Sequence, residues 1–266
     1  MSEDPPAADP LAEGAVEAFL AAMRSVFGSL TEGEWTDGTD LVSYAAGLDV
    51  PRFNGLVVLG PRADEGTAAA WLDELAFRGL PHAILSRPSA PAWVAPLAAA
   101  YGLSTVEHEP FMCHTDPGAL TTQAPPGTSA RLVIDVVDPA DPEQVGAAAQ
   151  VLADGFEVPV ELFAPLVSPE LLARPEMTAY LGRSDGEPCT TGLGAVTRGH
   201  VGVYDIATPP AHRNRGFGHA VTARVVADGV RAGAHTAYLQ ASSMGFGVYQ
   251  RMGFRTVETW ACYYPG

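Results

Sequence analysis

Apolar positions recur at helical spacing over residues 11–28, where Val16, Phe19, Leu20, Met23 and Phe27 share one face and Gly28 ends the run. A Gly/Asp/Thr-rich segment containing Trp35 follows, then two short extended candidates at 41–45 and 54–59. From there the alternation becomes regular. Residues 64–78 predict a helix with Trp71, Leu72 and Leu75 inward and Gly79 after its end, and 82–86 predict a strand. Residues 91–101 predict a helix carrying Trp93, Val94 and Leu97, kinked at Pro96, and 104–113 return as a strand after Gly102. Residues 115–130, with Pro117-Gly118 and Pro125-Pro126-Gly127, read as a linker.

The second half opens with an alternating strand at 131–137. Asp141-Pro142-Glu143-Gln144 is a helix start, with a capping Asp, Pro in the first turn and Gln at the third position. Val145, Ala148, Ala149 and Leu152 line the buried face of that helix. Phe156-Glu157-Val158-Pro159 breaks it, and helical stretches restart at Glu161 and at Ser168-Pro169. Residues 177–182, 189–197 and 200–208 predict an antiparallel meander with turns at Ser184-Asp185-Gly186 and Arg198-Gly199. Pro209-Pro210 closes the third strand, since proline has no amide for a ladder. A helix then starts in glycines and runs to Gly233, a strand follows at 236–241, and a further helix ends in Tyr249-Gln250-Arg251-Met252-Gly253-Phe254.

The candidate chemistry centres on Arg213-Asn214-Arg215-Gly216-Phe217-Gly218. Glycines at a helix start leave backbone amides unpaired and uncluttered, and those amides with the helix dipole favour a phosphate. Arg213 and Arg215 add cations at the same place. The spacing alone also fits a turn that serves only the backbone. No Gly-Lys-Ser/Thr follows, and the third glycine of a dinucleotide fingerprint is missing.

Arg-x-x-Gly-x-Gly, a strand ending in Leu239-Gln240-Ala241-Ser242, then Tyr-x-x-x-Gly-Phe resembles the GNAT superfamily of acyl-CoA-dependent N-acyltransferases over about residues 130–266. The strand–helix–strand–helix–glycine–strand order recurs in the front half, where the phosphate turn is replaced by Gly60-Pro61-Arg62-Ala63-Asp64. Pro61 removes an amide and Asp64 supplies an anion of its own. The expected fold is therefore α/β (α+β): two GNAT-like domains, each a mixed, mostly antiparallel twisted sheet flanked by helices, the alternative for the front half being an unrelated α/β domain of accidentally similar order. The expected division is a truncated, degenerate copy at 1–114, a linker at 115–130 and a catalytic domain at 131–266.

The resemblance implies that Ile206, Ala207 and Thr208 pair through their backbone with the pantetheine arm of acetyl-CoA, as an added strand would. It also implies that Arg213, Asn214, Arg215, Gly216, Phe217, Gly218 and His219 hold the pyrophosphate, with Ser242 a further polar contact to the arm. Tyr249 stands where the family's thiol-protonating tyrosine sits, although a core-packing role is also open to it. Asp205 is the first candidate for the base and His200 the second; Phe156, Glu157 and Phe163 are candidates for a wall of the acceptor pocket, although both phenylalanines also read as core aromatics, which is the preferred reading for Phe163. The implied reaction is transfer of an acetyl group from acetyl-CoA to a primary amine of a small molecule, by direct attack in a ternary complex and without a metal. A non-catalytic acyl-CoA-binding regulatory protein and transfer of a longer acyl group are the alternatives.

Composition narrows the partners. Among 266 residues there are 31 acids against 15 bases, every base an arginine, and the net charge of −16 argues against a general nucleic-acid binder. Hydrophobic residues at 47% allow a sizeable core. Cys113, Cys189 and Cys262 have no metal spacing and suit a reducing cytoplasm. The acidic, proline-rich start is unlike a signal peptide, and no apolar run approaches membrane-spanning length. The expectation is a cytoplasmic protein with no membrane partner, and a homodimer is left open.

Overall fold

The computed structural model describes residues 10–122 and 132–266. In chain order the elements are α1 (Pro10–Phe27), β1 (Glu34–Gly38), β2 (Leu41–Ala45), β3 (Asn54–Val58), α2 (Glu65–Phe77), β4 (Ala83–Ser86), α3 (Val94–Ala100) and β5 (Thr105–His114). The second half contributes β6 (Leu132–Val136), α4 (Pro142–Phe156), α5 (Val160–Phe163), α6 (Pro169–Leu172), β7 (Met177–Ser184), β8 (Glu187–Thr197) and β9 (His200–Ala207). It closes with α7 (Phe217–Arg231), β10 (Thr236–Gln240), α8 (Phe246–Arg251) and β11 (Arg255–Tyr264). Among the described residues no helix is long and apolar enough to cross a membrane.

These elements form two compact units, and their membership departs from the expected division at the linker. The first unit holds Phe27–Phe111 and Thr256–Gly266, and the second holds Glu13–Val26 and Met112–Arg255. Most of α1 thus belongs with the second half of the chain, and most of β11 with the first. Of the expected linker, residues 115–122 are described and include a 3-10 turn at Pro117–Thr122; the rest lies outside the described residues, as does the acidic start of the chain. Each unit is a mixed, mostly antiparallel sheet flanked by helices, which is the expected fold class.

In the first unit β1, β2 and β3 pair antiparallel, β3 and β4 pair parallel, and β11 pairs antiparallel with β4 on its other side. The strand β1 is absent from the expectations because its burial pattern is almost wholly exposed, as suits a polar edge strand. Pro96 does not kink α3: it is the third residue of that helix, in the first turn, where its missing amide costs nothing. The final strand is held by long-range contacts. Fully buried Trp260 stacks on Phe111 at 5.5 Å, and the buried Arg87 guanidinium meets Glu258 at 2.5 and 3.0 Å. Tyr264 of β11 shares Glu109 of β5 with Arg52, at 2.9 and 2.6 Å.

In the second unit the order is β10-β9-β8-β7-β6, antiparallel except for the parallel pair β9–β10. Asp141 caps α4 by accepting from the amides of Glu143 and Gln144, as the sequence predicts. The helix α7 lays Val221, Val225 and Val226 on Tyr180, Val201, Val203, Ala237 and Leu239. Each such fully buried aliphatic side chain contributes about 1.5–3 kcal/mol. The α1 segment of this unit is pinned by Thr197, whose hydroxyl donates to the Ala18 carbonyl at 2.8 Å, and by Phe19 stacked on Tyr204 at 6.4 Å.

Candidate active site

The strands β9 and β10 pair at only three positions, His200 with Thr236, Val201 with Ala237 and Gly202 with Tyr238. Beyond them β9 continues to Ala207 and β10 to Gln240 without pairing each other, so a cleft opens between two diverging edges. On its other side β9 keeps β8, with one irregularity. Tyr204 faces Leu193 and Ala207 faces Thr191, so Asp205 and Ile206 together oppose Gly192. This is a β-bulge, and its first residue, Asp205, has φ 52°. The bulge bends the strand and re-aims its backbone where the cleft begins.

Asp205 is half-buried, and desolvation raises its pKa to about 6. Ile206 faces the α7 side, because a Cβ at Gly192 would meet both Ile206 Cδ1 at 2.6 Å and Val221. The Ala207 carbonyl accepts from the Thr190 hydroxyl at 2.9 Å, and the Thr208 hydroxyl shares a hydrogen bond with Thr190 at 3.0 Å. Where the strands part, the hydroxyls of Tyr204 and Tyr238 lie 2.6 Å apart, and burial pushes both phenols well up. His200 is at the paired end of β9, buried, with Nδ1 2.8 Å from the Arg198 carbonyl and its ring against His235. Five residues of strand, roughly 16 Å, separate it from the bulge. The structure therefore does not bring His200 to the cleft.

The turn after β9 delivers a bare helix N-terminus. Asn214 and Gly216 take positive φ (62° and 79°), and Gly216 is the N-cap of α7, with no side-chain cap. The amides of Phe217, Gly218 and His219 are the first of the helix, and a Cβ at Gly218 would meet nothing closer than 3.7 Å. The side chain of Phe217 is buried in the core and anchors the turn. Burial, then Arg251, lowers the pKa of His219, so its ring is neutral at pH 7. Arg215 is exposed, with one long contact to the Ala211 carbonyl at 3.3 Å. Arg213 is placed differently from the expectation: its guanidinium donates to the carbonyls of Thr208 at 3.1 Å and Gly155 at 2.9 Å, and lies 3.3 Å from Glu157.

The matching turn of the first unit carries its own anion. The Asp64 carboxylate caps α2 by accepting from the Thr67 amide at 2.7 Å and hydroxyl at 2.8 Å. Arg62 is taken by Asp40. The parallel pair β3–β4 stays paired to Val58 and Ser86, and the Arg87 amide then donates to the Val58 carbonyl, so no cleft opens.

At the far side of the cleft, the Ser242 hydroxyl accepts from the Gly245 amide at 3.2 Å and starts the turn into α8. The Tyr249 ring lies beside it, because a Cβ at Gly245 would be 2.8 Å from that ring and 3.4 Å from Ser242 Oγ. Burial raises the Tyr249 pKa to about 12. Its hydroxyl faces that of Thr222, which is buried and has no partner in full hydrogen-bond geometry among the described residues. Tyr249 also meets Phe254 edge-on at 6.0 Å, so it packs as well as projecting its hydroxyl. At the end of α4, Phe156 stacks on Phe163 at 5.2 Å with Phe156 exposed and Phe163 buried, and Glu157 turns the chain at φ 60°. Gly155 lets this end lie on β9, since a Cβ there would be 2.7 Å from Ala207 Cβ.

Gly155, the Tyr204–Tyr238 pair and the contact of α1 with it are further parts of the site that the sequence pattern does not single out. A glycine in the last turn of the α4 pattern was the only local signal among them.

Comparison with known proteins agrees with this geometry. Residues 149–254 match the model of the Acetyltransferase (GNAT) family. No curated protein matches the chain. Among solved structures, the chain is similar to a GCN5-related N-acetyltransferase from Kribbella flavida, at 22% identity and TM-score 0.66, with 95% of this chain and 96% of that one covered. It is similar to one from Sphaerobacter thermophilus at 18% identity and TM-score 0.56, over 97% and 95% of the two chains. A tandem GNAT protein from the clavulanic acid biosynthesis pathway aligns at 14% identity and TM-score 0.57, over 96% of each. The bulged strand, the cleft and the glycine turn all fall inside residues 149–254, the segment that matches the GNAT acetyltransferase family.

Proposed function

We propose that the second unit transfers an acetyl group from acetyl-CoA to a primary amine of a small molecule, in a ternary complex with no covalent enzyme intermediate. The observation that carries this reading is the parting of β9 and β10 beside the bulge at Asp205, directly ahead of an uncapped helix N-terminus. The residues fit acetyl-CoA. The edge of β9 over 203–207 is left by β10 and can pair with an extended amide-bearing arm. The amides of Phe217, Gly218 and His219, with Arg215 beside them, suit a pyrophosphate.

Acetyl-CoA supplies a thioester carbonyl that an amine can attack. Backbone amides at the bulge are the groups of this chain that can stabilise the developing oxygen charge. Asp205, with its pKa near 6, is ionised at pH 7 yet basic enough to take a proton from an ammonium, directly or through water. Tyr249 Oη, protonated throughout the working range because of its raised pKa, gives its proton to the departing sulfur. The first unit has neither the open turn nor the cleft, so one site per chain is expected.

The test joins calorimetry with CoA to a thiol-release screen of acetyl-CoA against amine panels. One CoA site per chain, lost in Gly216→Pro, together with amine-dependent thiol release is the expected result. Absence of CoA binding, two equal sites, or binding that survives Gly216→Pro overturns it. CoA binding without release from any amine would move the assignment to a CoA-binding regulator.

A further inference from the structure

Arg213 is the first residue of the Arg-x-x-Gly-x-Gly turn, yet its side chain turns away from the helix N-terminus. Nε donates to Thr208 O, one residue past β9, and Nη2 donates to Gly155 O in the last turn of α4. That carbonyl is one of the four a helix leaves unpaired at its C-terminus, and a cation there also meets the favourable end of the helix dipole. Glu157, the left-handed residue that ends α4, brings its carboxylate to 3.3 Å from the same nitrogen. One guanidinium therefore joins the end of the bulged strand, the end of α4 and the turn into α5. Beneath it Gly155 lies against Ala207 with no room for a side chain, so the position of this joint is narrowly set.

We propose that Arg213 is a positioning residue that fastens the Phe156–Phe163 wall to the end of β9 and so places the acceptor beside the bulge, leaving the phosphate charge to Arg215 and the helix amides. Calling that wall the acceptor side rests on the acyl-transfer reading; the joint itself does not. A fork already committed to two carbonyls cannot also grip a phosphate with the same donors. Arg215, exposed and with one long contact, is free to do so. The acceptor that such a wall suits is an amine carrying an apolar group, for the exposed Phe156 ring, with its cation near Glu157.

The experiment compares Arg213→Ala, Arg213→Lys and Arg215→Ala in the full chain. It reads calorimetry with CoA at two salt concentrations, amide hydrogen exchange over 153–163 with 221–226 as the internal control, and steady-state kinetics with an amine found by the thiol-release screen. Losing the fork should speed exchange over 155–163 by about tenfold or more in both Arg213 variants, leave 221–226 unchanged and keep the CoA Kd within about twofold. The amine KM should rise by about tenfold with kcat changed less, and Lys should not rescue it because it lacks the rigid planar fork whose Nε and Nη2 reach the two carbonyls from separate positions. Arg215→Ala should do the opposite, weakening CoA by about tenfold with a shallower salt dependence and no change in exchange. The proposal is overturned if Arg213→Ala weakens CoA with a shallower salt dependence while exchange over 155–163 stays as in the parent. Full rescue by Lys overturns it as well. If no amine turns over, the acyl-transfer reading fails while the exchange and CoA measurements still decide the role of Arg213.

Discussion

Asp205→Asn should make the protein more stable at neutral pH while slowing it as an enzyme. The carboxyl sits at a bulge where desolvation raises its pKa from 3.8 to about 6. Between those values the unfolded chain has released the proton and the folded chain still holds it, so stability falls as pH rises through this window and is flat above it. The full rise corresponds to about 3 kcal/mol against the ionised form, and partial solvent access reduces this to about 1–3 kcal/mol. Asn removes the charge, keeps the shape and tolerates the left-handed φ of 52°. Urea unfolding of parent and variant across pH 3.5–8 (roughly the span that brackets both pKa values) reads the difference directly. The variant should gain about 1–3 kcal/mol at pH 7.5, and the gain should vanish below about pH 4. Its turnover should fall by about 10²-fold or more and lose the rise with pH centred near 6. A variant no more stable than the parent at pH 7.5, or a gain independent of pH, would refute the desolvated-base argument.

Tyr249→Phe removes only a hydroxyl whose ring packs on Phe254, so CoA affinity should hold while turnover drops by about 10²–10⁴-fold; a change within about twofold would make Tyr249 a packing residue. Glu258→Gln leaves the Arg87 guanidinium buried without its carboxylate and should cost about 3 kcal/mol in urea unfolding, with CoA binding by the second unit retained; no loss of stability would show that the pair is not needed. A fragment of residues 128–266 lacks the Glu13–Val26 segment and should aggregate or unfold readily, checked by gel filtration and thermal melting; a monomeric, fully active fragment would contradict the place of α1 in that unit.

Much of the second unit was legible because its signals are local. Asp141-Pro142 caps a helix, two glycine turns punctuate a meander, and Gly216 takes a conformation that L side chains rarely adopt, each a matter of neighbouring residues. The same holds for the start of α2 in the first unit, where Asp64 follows Pro61 and its carboxylate accepts from the Thr67 amide. Other features depend on contacts between distant residues. An amphipathic helix shows the same apolar stripe whichever sheet covers it, so nothing in residues 10–27 says that Phe19 will stack on Tyr204, and nothing in 255–264 says that Trp260 will seek Phe111. An arginine in a glycine turn carries the same charge toward a phosphate or toward two carbonyls. Only the approach of Gly155 to Ala207 decided that Arg213 would bridge, and only the three-residue pairing of β9 with β10 decided that the bulge, and not His200, would stand at the cleft. Local backbone preferences act within a turn or two of chain and are written in the sequence. Strand order, cleft and side-chain direction follow from which apolar faces bury one another, and tertiary packing alone settles that.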